Sequence, residues 1–345
     1  MKKAALIGLG MVAETHLAAL RDAPDVSLHG VLARDPAKAR TFALAASEQS
    51  GQPVSAYGDL AQLVADGDVD FVILATPPDA RLTYVKALVE ARKPILMEKP
   101  IERTFAAAEE LVALCTHANI PLGVVFQHRA RAASRALKEA LDIGKLGEIV
   151  TAEVRVPWWR DQSYYDVPGR GTRARDGGGV MITQAIHTLD LLLWLLGPIQ
   201  RLQAMMHKTL IHLMEAEDWA GAIFETTSGC MGTLLATTAA YPGRSETITL
   251  HGTKATAHLD AGTLTLSFRD GRVDTIGEAT ATGGGADPMA FTHAWHQSVI
   301  EDFAASLDGK RPPLAPGRDA LWSHAVIDAM ERSSGQDNWT EVASL

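Results

Sequence analysis

The sequence predicts an α/β protein of two domains, with a parallel sheet in residues 1–125 and a largely antiparallel sheet in residues 126–345. Three observations support this prediction. A chain of 345 residues exceeds the usual size of a single hydrophobic core. The first 125 residues alternate apolar segments with helical patterns. The later part contains short strand-like segments separated by turn signals.

Five apolar segments of the first domain are predicted to be buried strands: Ala4–Ile7, Val26–Leu32, Phe71–Thr76, Pro94–Met97 and Leu122–Phe126. The segments between them have helical spacing and alanine-rich faces: Glu14–Leu20, Ala37–Ala46, Leu82–Glu90 and Thr104–His117. Regular alternation of helices with uniformly apolar strands is typical of a parallel sheet that helices cover on both faces.

The pattern changes after residue 126. The elements predicted there include a helix, a half-buried strand and two closing helices: Ala132–Leu141, Ile149–Val156, Phe291–Leu307 and Asp319–Arg332. Between Arg201 and Val273, dipeptides such as Ser228-Gly229 and Asp270-Gly271 mark turns between short strands. Gly283-Gly-Gly285 is expected to form an exposed loop.

The composition argues against several function classes. The net charge of -9, without a basic run, argues against nucleic-acid binding. The longest apolar run, Leu189–Leu196, is far shorter than the roughly 20 residues of a membrane span. Cys115 and Cys230 are the only cysteines, which indicates neither a disulfide framework nor a cysteine metal cluster. We therefore expect a cytoplasmic protein that acts on a small molecule and holds no metal.

A glycine turn follows the first predicted strand, in the sequence Gly8-Leu-Gly10-Met11-Val12-Ala13. The first glycine permits the turn, the second lets a pyrophosphate approach the backbone, and Ala13 keeps the helix close to the strand. The backbone N–H groups and the helix dipole at such a turn suit a phosphate. The motif, in this position, predicts that Gly8, Gly10, Met11 and Val12 bind a dinucleotide.

The end of the second strand is expected to contact the adenosine ribose of that dinucleotide. An acidic residue at this position would favour NAD, because it would repel a 2′-phosphate. The strand ends instead in Ala33-Arg34, and Lys38 follows one turn later, which favours NADP slightly. Asp35 leaves NAD open, because its carboxylate could turn back to the ribose.

Two further loops leave the predicted sheet at the edge where the nicotinamide is expected. Thr76-Pro77-Pro78 follows the third strand and must be a loop, because proline cannot continue a central strand. Glu98-Lys99-Pro100 follows the fourth strand. We expect Thr76, Pro77, Glu98 and Lys99 to contact the cofactor, and Lys99 to act in catalysis. The alternative is that Lys99 is an exposed, solvated charge, as is usual for an isolated lysine at the end of a strand. The glutamate before it and the proline after it favour a functional role.

A buried helix follows the glycine-rich segment Gly177-Gly-Gly179. Thr183, His187 and Asp190 are spaced by four and three residues, which places them on one stripe of that helix. Because buried polar groups need partners, this stripe indicates a polar pocket with His187 as a catalytic residue. The alternative is that His187 bonds a backbone carbonyl and Asp190 orients it.

With these motifs the chain resembles the Gfo/Idh/MocA oxidoreductases, which include glucose–fructose oxidoreductase and inositol dehydrogenase. The likeness lies in the glycine turn, Thr76-Pro77-Pro78, Glu98-Lys99-Pro100 and the segment from Gly177 to Asp190. It implies an N-terminal Rossmann domain with a doubly wound parallel sheet. It also implies a C-terminal α/β domain whose large, mostly antiparallel open sheet binds substrate and builds homodimers or homotetramers.

The chain departs from the family pattern at two positions. Thr183 stands where many relatives have an aspartate that completes a Lys–Asp–His set. A threonine cannot relay a proton as a carboxylate does, but it can hydrogen-bond a substrate hydroxyl, so Lys99 and His187 remain as the acid/base pair. Arg81 lies near the position where relatives often have a histidine.

The segment from Pro157 to Tyr165 is rich in aromatic residues and is a candidate substrate loop. Aromatic faces suit sugar rings and arginines suit carboxylates, so Arg160 and Tyr164 are predicted to contact the substrate. A surface loop or a subunit contact would have a similar composition. His293 and His296 lack an evident third ligand and are expected in the core or at an interface.

Together these features predict an NAD(P)-dependent dehydrogenase that oxidises a secondary alcohol of a sugar, polyol or cyclic diol. His187 is expected to take the hydroxyl proton, while Lys99 hydrogen-bonds the same oxygen. Two alternatives stay open at this point. One is a cis-dihydrodiol dehydrogenase of aromatic catabolism, and the other is a non-catalytic dinucleotide sensor that regulates transcription.

Overall fold

The structure, a computed structural model, describes residues 1–345 and divides them into two compact units. The N-terminal unit comprises residues 1–102, 106–127 and 293–320, and the C-terminal unit comprises residues 103–105, 128–292 and 321–345. Residues 293–320 therefore belong to the first unit, whereas the sequence predicts a single second domain for residues 126–345.

The N-terminal unit contains a six-stranded parallel sheet with the strand order β3-β2-β1-β4-β5-β6. Its strands are β1 (Lys2–Ile7), β2 (Val26–Leu32), β3 (Ser55–Ala56), β4 (Phe71–Leu74), β5 (Ile95–Met97) and β6 (Leu122–Val124). This confirms the predicted doubly wound sheet. Only the short, exposed edge strand β3 is absent from the prediction.

The helices of this unit are α1 (Ala13–Asp22), α2 (Pro36–Ser50), α3 (Leu60–Ala65), α4 (Arg81–Glu90), α5 (Phe105–His117) and, much later in the chain, α9 (Ala294–Ser306). Phe303 of α9 packs edge-on against Phe71 of β4, with ring centroids 5.4 Å apart. A Cβ atom at Gly123 would lie 2.6 Å from the Phe303 ring, so β6 needs a glycine there. Burial of Phe303 is the physical reason why α9 belongs to the first unit.

The C-terminal unit contains a nine-stranded sheet with the order β14-β13-β12-β11-β7-β10-β9-β8-β15. Its strands are β7 (Ile149–Pro157), β8 (Ile199–His207), β9 (Trp219–Thr226), β10 (Met231–Thr237), β11 (Thr247–Gly252), β12 (Ala255–Asp260), β13 (Thr263–Phe268), β14 (Val273–Gly277) and β15 (Thr340–Glu341). All neighbours pair antiparallel except β7 and β10. The predicted mostly antiparallel sheet is thus confirmed.

The helices of this unit are α6 (Ala132–Asp142), α7 (Gln162–Tyr165), α8 (Ile186–Leu196) and α10 (Gly317–Ser333) from Leu321 onward. A π-helical turn, Met181–Ala185, leads into α8. The helix α6 contacts β12, β13 and β14, and α8 contacts β7. Along β7 and β10, buried residues alternate with exposed ones, as expected for a sheet with one solvent-facing side. None of the helices combines the length and apolar character that crossing a bilayer requires.

Candidate active site

The glycine turn joins β1 to α1 and has the geometry of a phosphate cradle. Gly8 has a φ of +99°, and a Cβ atom there would lie 2.7 Å from the backbone of Ala75. A Cβ atom at Gly10 would meet nothing within 4 Å, so the backbone faces open space at this position. No side chain caps the start of α1 at Val12. The Ala13 N–H donates to the Gly10 carbonyl at 3.3 Å, and no side-chain oxygen competes with a phosphate at this helix start.

The end of β2 has an exposed arginine, Arg34, next to Asp35, whose carboxylate caps the following helix. Asp35 is the N-cap of α2, and its Oδ1 accepts a hydrogen bond of 2.9 Å from the Ala37 N–H. This bond directs the carboxylate to the helix start. Arg34 is exposed and Ala33 is half-buried, so the Arg34 guanidinium is open to a ligand at the end of this strand.

The loops after β4 and β5 leave neighbouring parallel strands, as predicted. Arg81, which is buried at the start of α4, connects them. Its Nε and Nη2 donate to the Thr76 carbonyl at 3.1 and 2.9 Å. Its Nη1 donates to the carbonyls of Glu98, Pro100 and Ile101. Lys99 is half-buried between two of these anchored residues.

The Glu98 side chain is buried against two histidines from distant parts of the chain. Its Oε1 lies 2.9 Å from Nε2 of His16 on α1 and 3.7 Å from Nε2 of His296 on α9. The two imidazole rings meet edge-on at 5.3 Å between centroids. His296 is thus in the core, as predicted, but it lies beside the lysine loop. No pattern in the sequence marks His16 as part of the site.

Electrostatics keep Glu98 ionised in this buried place. Burial opposes ionisation, but the hydrogen bond from His16 and the electrostatic interactions with His16 and Lys99 outweigh it and lower the Glu98 pKa to about 2. Burial also lowers the pKa of His296 to about 3, against the attraction of Glu98, so His296 is neutral at pH 7.

The same three side chains have donor atoms within 4.8 Å of one another, close enough to surround a metal ion. Metal-ligating histidines almost always donate from their second ring nitrogen to a carboxylate, a carbonyl or a water. The buried Nδ1 of His16 has no hydrogen-bond partner. The observed contact within the cluster is the hydrogen bond between His16 and the Glu98 carboxylate.

In the C-terminal unit, the glycine-rich segment Gly177–Gly179 precedes the helix that carries His187. Gly179 lies directly against the backbone of Glu217. A Cβ atom at Gly179 would lie 1.7 Å from the Glu217 carbonyl oxygen. The Glu217 carboxylate accepts hydrogen bonds from the N–H groups of Gly179 and Met181, at 3.0 and 3.2 Å. An internal carboxylate thus occupies the anion-binding end of this helix.

Thr183 lies in the π-helical turn and links to the aromatic loop. Its hydroxyl is 2.6 Å from the Gly179 carbonyl and also within hydrogen-bond distance of the Gln184 amide oxygen. A hydroxyl has one proton and donates to one of these acceptors at a time. The Gln184 amide nitrogen lies 3.4 Å from the Tyr164 hydroxyl. The structure therefore brings together Thr183 and Tyr164, two of the predicted substrate residues.

His187 is buried and stacks on a second histidine. The rings of His187 and His128 lie 5.0 Å apart between centroids at an interplanar angle of 28°. His128 Nε2 is 3.9 Å from Oε1 of Glu246. Asp190 forms a buried, two-point ion pair with Arg129, at 2.7 and 2.6 Å. The Asp190 carboxylate, predicted as one possible partner that orients His187, is thus bound to Arg129.

Arg160 has a different environment from the predicted one. Its guanidinium is buried and donates to the carbonyls of Trp159, Gly283 and Gly285, at 2.6–2.7 Å. Gly283 and Gly284 are also buried, which corrects the expectation of an exposed glycine loop. Because both amino groups of Arg160 bind backbone carbonyls, this guanidinium holds the loop, and its contact with a substrate stays a prediction. Tyr164, half-buried with Arg170 4.1 Å from its ring centre, is the more accessible member of the pair.

Comparisons with known proteins agree with this architecture. Residues 2–126 match the sequence model described as an oxidoreductase family with an NAD-binding Rossmann fold, and residues 134–258 match the model of the GFO/IDH/MocA C-terminal domain. The chain is 26% identical to a D-apiose dehydrogenase from Rhizobium rhizogenes, over 99% of this chain and 98% of the relative. It is 25% identical to an inositol 2-dehydrogenase from Rhizobium meliloti, over 98% of both chains.

Among solved structures, the WlbA dehydrogenase from Chromobacterium violaceum, in complex with NADH and UDP-GlcNAcA, is 29% identical. Its TM-score is 0.82, with 99% of this chain and 96% of that chain covered. Fold and matches together define an oxidoreductase with an NAD-binding Rossmann fold. The chain belongs to the Gfo/Idh/MocA family, which confirms the resemblance and the enzyme class predicted from its sequence.

Proposed function

We propose that this protein catalyses the reversible, NAD(P)-dependent oxidation of a secondary alcohol on a sugar, polyol or cyclic diol. The observation that carries the proposal is Lys99, a half-buried lysine in a loop that Arg81 and the buried Glu98 side chain hold at the carboxyl edge of a dinucleotide-type sheet. The relatives named D-apiose dehydrogenase and inositol 2-dehydrogenase support the substrate class.

The residues present fit a dinucleotide. Gly8, Gly10, Met11 and Val12 would hold the pyrophosphate, because Gly10 leaves the backbone open and no side chain caps the following helix. The predicted contacts to the ribose and nicotinamide ends are made by Ala33, Arg34, Thr76, Pro77, Glu98 and Lys99. When bound, the nicotinamide accepts the hydride from the alcohol carbon, or returns it in the reverse direction.

Lys99 and His187 have different tasks in this proposal. The Lys99 ammonium donates a hydrogen bond to the substrate oxygen and stabilises the negative charge that develops there. His187 removes the hydroxyl proton during oxidation and returns it during reduction. Thr183 and Tyr164 hydrogen-bond further hydroxyls of the substrate and orient it.

Substitution of the lysine tests this assignment. We expect Lys99→Met to lower kcat by about 10²–10³-fold, the usual effect of removing one donor to a developing oxyanion. The affinity for NADH, measured by fluorescence titration, should change little. Lys86→Met removes an exposed lysine of α4 and is the matched control. Full turnover by Lys99→Met would show that the lysine is not catalytic.

The substrate for that assay comes from a panel. D-apiose, inositol, UDP-GlcNAcA, further sugars and polyols, and cis-dihydrodiols are each mixed with NAD and with NADP, and the absorbance band of the reduced nicotinamide is followed. Turnover of a sugar or polyol supports the proposal. Turnover of dihydrodiols alone would favour an enzyme of aromatic catabolism. Tight NADH binding with no turnover of any member would favour a dinucleotide sensor.

We also propose that the protein favours NADP over NAD. The Arg34 guanidinium is exposed at the end of β2, while the Asp35 carboxylate caps α2. Arg34→Met should weaken NADPH binding by about tenfold, because it removes one charged partner of the 2′-phosphate. NADH binding should stay unchanged. Fluorescence titration of both cofactors checks this, and equal affinity of the unmodified protein for NADH and NADPH would contradict it.

A homodimer or homotetramer built through the nine-stranded sheet completes the proposal. The strand register places Met205, Ile223 and Met231 on one face of this sheet, and all three are exposed in the single chain. Contiguous exposed apolar side chains are typical of subunit contacts. Light scattering in solution gives the assembly mass, and a monomer at micromolar concentration would exclude this assembly.

A further inference from the structure

Arg81 is a fully buried arginine whose hydrogen bonds all go to backbone carbonyls. It binds the Thr76 carbonyl after β4 and the carbonyls of Glu98, Pro100 and Ile101 after β5. A guanidinium has five N–H donors in a rigid plane, which lets it serve several acceptors at once. Lys99 is the residue between two of these acceptors.

Burying this charge is unfavourable, and the structure shows what offsets the cost. Burial lowers the Arg81 pKa to about 10, while the charges of Glu98, Glu102 and Asp79 oppose that change. The guanidinium therefore stays charged at pH 7. The carbonyls that it binds would lose this donor if a neutral residue replaced it, and buried carbonyls need partners. An apolar residue would fill the space but would leave both loops without this connection.

We infer that Arg81 is a positioning residue for Lys99: its guanidinium fixes the backbone on both sides of the lysine and ties this loop to the Thr76 loop. The inference rests on the proposed catalytic role of Lys99. The position of an amine at a reacting oxygen governs the rate steeply, and a displacement of about 1 Å can cost 10²-fold. Arg81 itself touches no reacting atom in this scheme.

The first test needs no substrate. Acetic anhydride labels lysines of the folded protein, and mass spectrometry gives the rate at Lys99 relative to Lys86, an exposed lysine of α4. Arg81→Met should raise this ratio by about tenfold, because the loop opens locally. Arg81→Lys, which keeps the charge but not the planar fork, should give a smaller increase. An unchanged ratio in a folded Arg81→Met protein would overturn the inference.

Arg160→Met is the matched control. Arg160 is also buried and also donates to backbone carbonyls, but these belong to Trp159, Gly283 and Gly285. Its loss should leave the labelling ratio at Lys99 unchanged. If Arg160→Met raised the ratio as much as Arg81→Met does, the effect would be general loosening, and the positioning role would be wrong.

A second readout separates positioning from binding. With a substrate from the panel, Arg81→Met should lower kcat by about 10²-fold while KM and NADH affinity change little, and Arg81→Lys should recover part of kcat. Equal loss of kcat and NADH affinity, without recovery by lysine, would overturn the inference. If the wild-type protein turned over no substrate of the panel, that result would count against the proposed function only. The labelling ratio at Lys99 does not depend on turnover and would still test the positioning role of Arg81.

Hydrogen exchange of the unmodified protein covers the case in which both variants fail to fold. If Arg81 fixes this loop, the Glu98 N–H, which bonds the Leu74 carbonyl, should be protected from exchange as strongly as the amides of β5. Fast exchange at Glu98 beside slow exchange in β5 would contradict a fixed loop.

Discussion

Substitution of Glu98 by glutamine tests the buried carboxylate that precedes Lys99. The change removes the charge, keeps the size and leaves an oxygen that can still accept a hydrogen bond from His16. The Glu98 pKa is lowered from 4.5 to about 2 in the folded protein. Each unit of difference between folded and unfolded states corresponds to about 1.4 kcal/mol, so the charge contributes about 3 kcal/mol at pH 7.

The sign of the pH dependence follows from the direction of the shift. Because the folded-state pKa is the lower one, the stabilisation is complete above pH 4.5 and is lost as the pH falls towards 2. The free energy of unfolding of Glu98→Gln should therefore lie about 3 kcal/mol below that of the unmodified protein at pH 7. The difference should narrow to about 2 kcal/mol at pH 3.5.

Urea denaturation of the cofactor-free proteins at several pH values measures this difference. Glu90→Gln, at an exposed glutamate of α4, is the control and should stay within about 0.5 kcal/mol of the unmodified protein. A difference below about 1 kcal/mol at pH 7 would refute the stabilising role of the charge. A difference that did not narrow at pH 3.5 would show that glutamine acts through packing instead.

Two further changes probe the ionisable core. The His296 pKa is lowered from 6.5 to about 3, so the unmodified protein should lose about 2 kcal/mol of stability between pH 6.5 and 5 as the unfolded state gains a proton. His296→Asn should abolish that slope in urea denaturation, and an unaltered slope would contradict the assignment. Asp190→Asn should cost about 3–5 kcal/mol by the same measurement, because it removes the charge that balances buried Arg129. Arg173→Met, which breaks the more exposed pair with Glu331, should cost at most about 1 kcal/mol.

Much of the fold could be predicted because its signals are local. The strand β4 is uniformly apolar, β1 is apolar from Ala4 onward, and β2 is mostly apolar; all three are largely buried, so their segments stand out in the sequence. The strand β3 has two exposed residues and gives no such signal. The placement of α9 depends on contacts such as that of Phe303 with Phe71, more than 200 positions away, and no local pattern encodes them.

The candidate site divides in the same way. Lys99 and His187 could be predicted as site residues because the residues next to them in the chain form recognisable motifs. His16 and Arg81 take their roles from partners elsewhere, Glu98 and the carbonyls around Lys99, so residue type alone could not assign them. Arg160 shows the converse case: an arginine in an aromatic loop suggests a ligand contact, and only the structure reveals that carbonyls more than 120 positions away bind its guanidinium.

The two glycine-rich helix starts of this chain show where local reasoning reaches its limit. Gly8–Ala13 and Gly177–Gly179 both put glycines before a helix, and both expose N–H groups that attract an anion. At α1 no side chain caps these groups, and the space beside Gly10 is open. At the second start, the Glu217 carboxylate already binds the N–H groups of Gly179 and Met181. A residue almost forty positions away therefore decides which of two similar motifs can bind a phosphate and which one only anchors a helix.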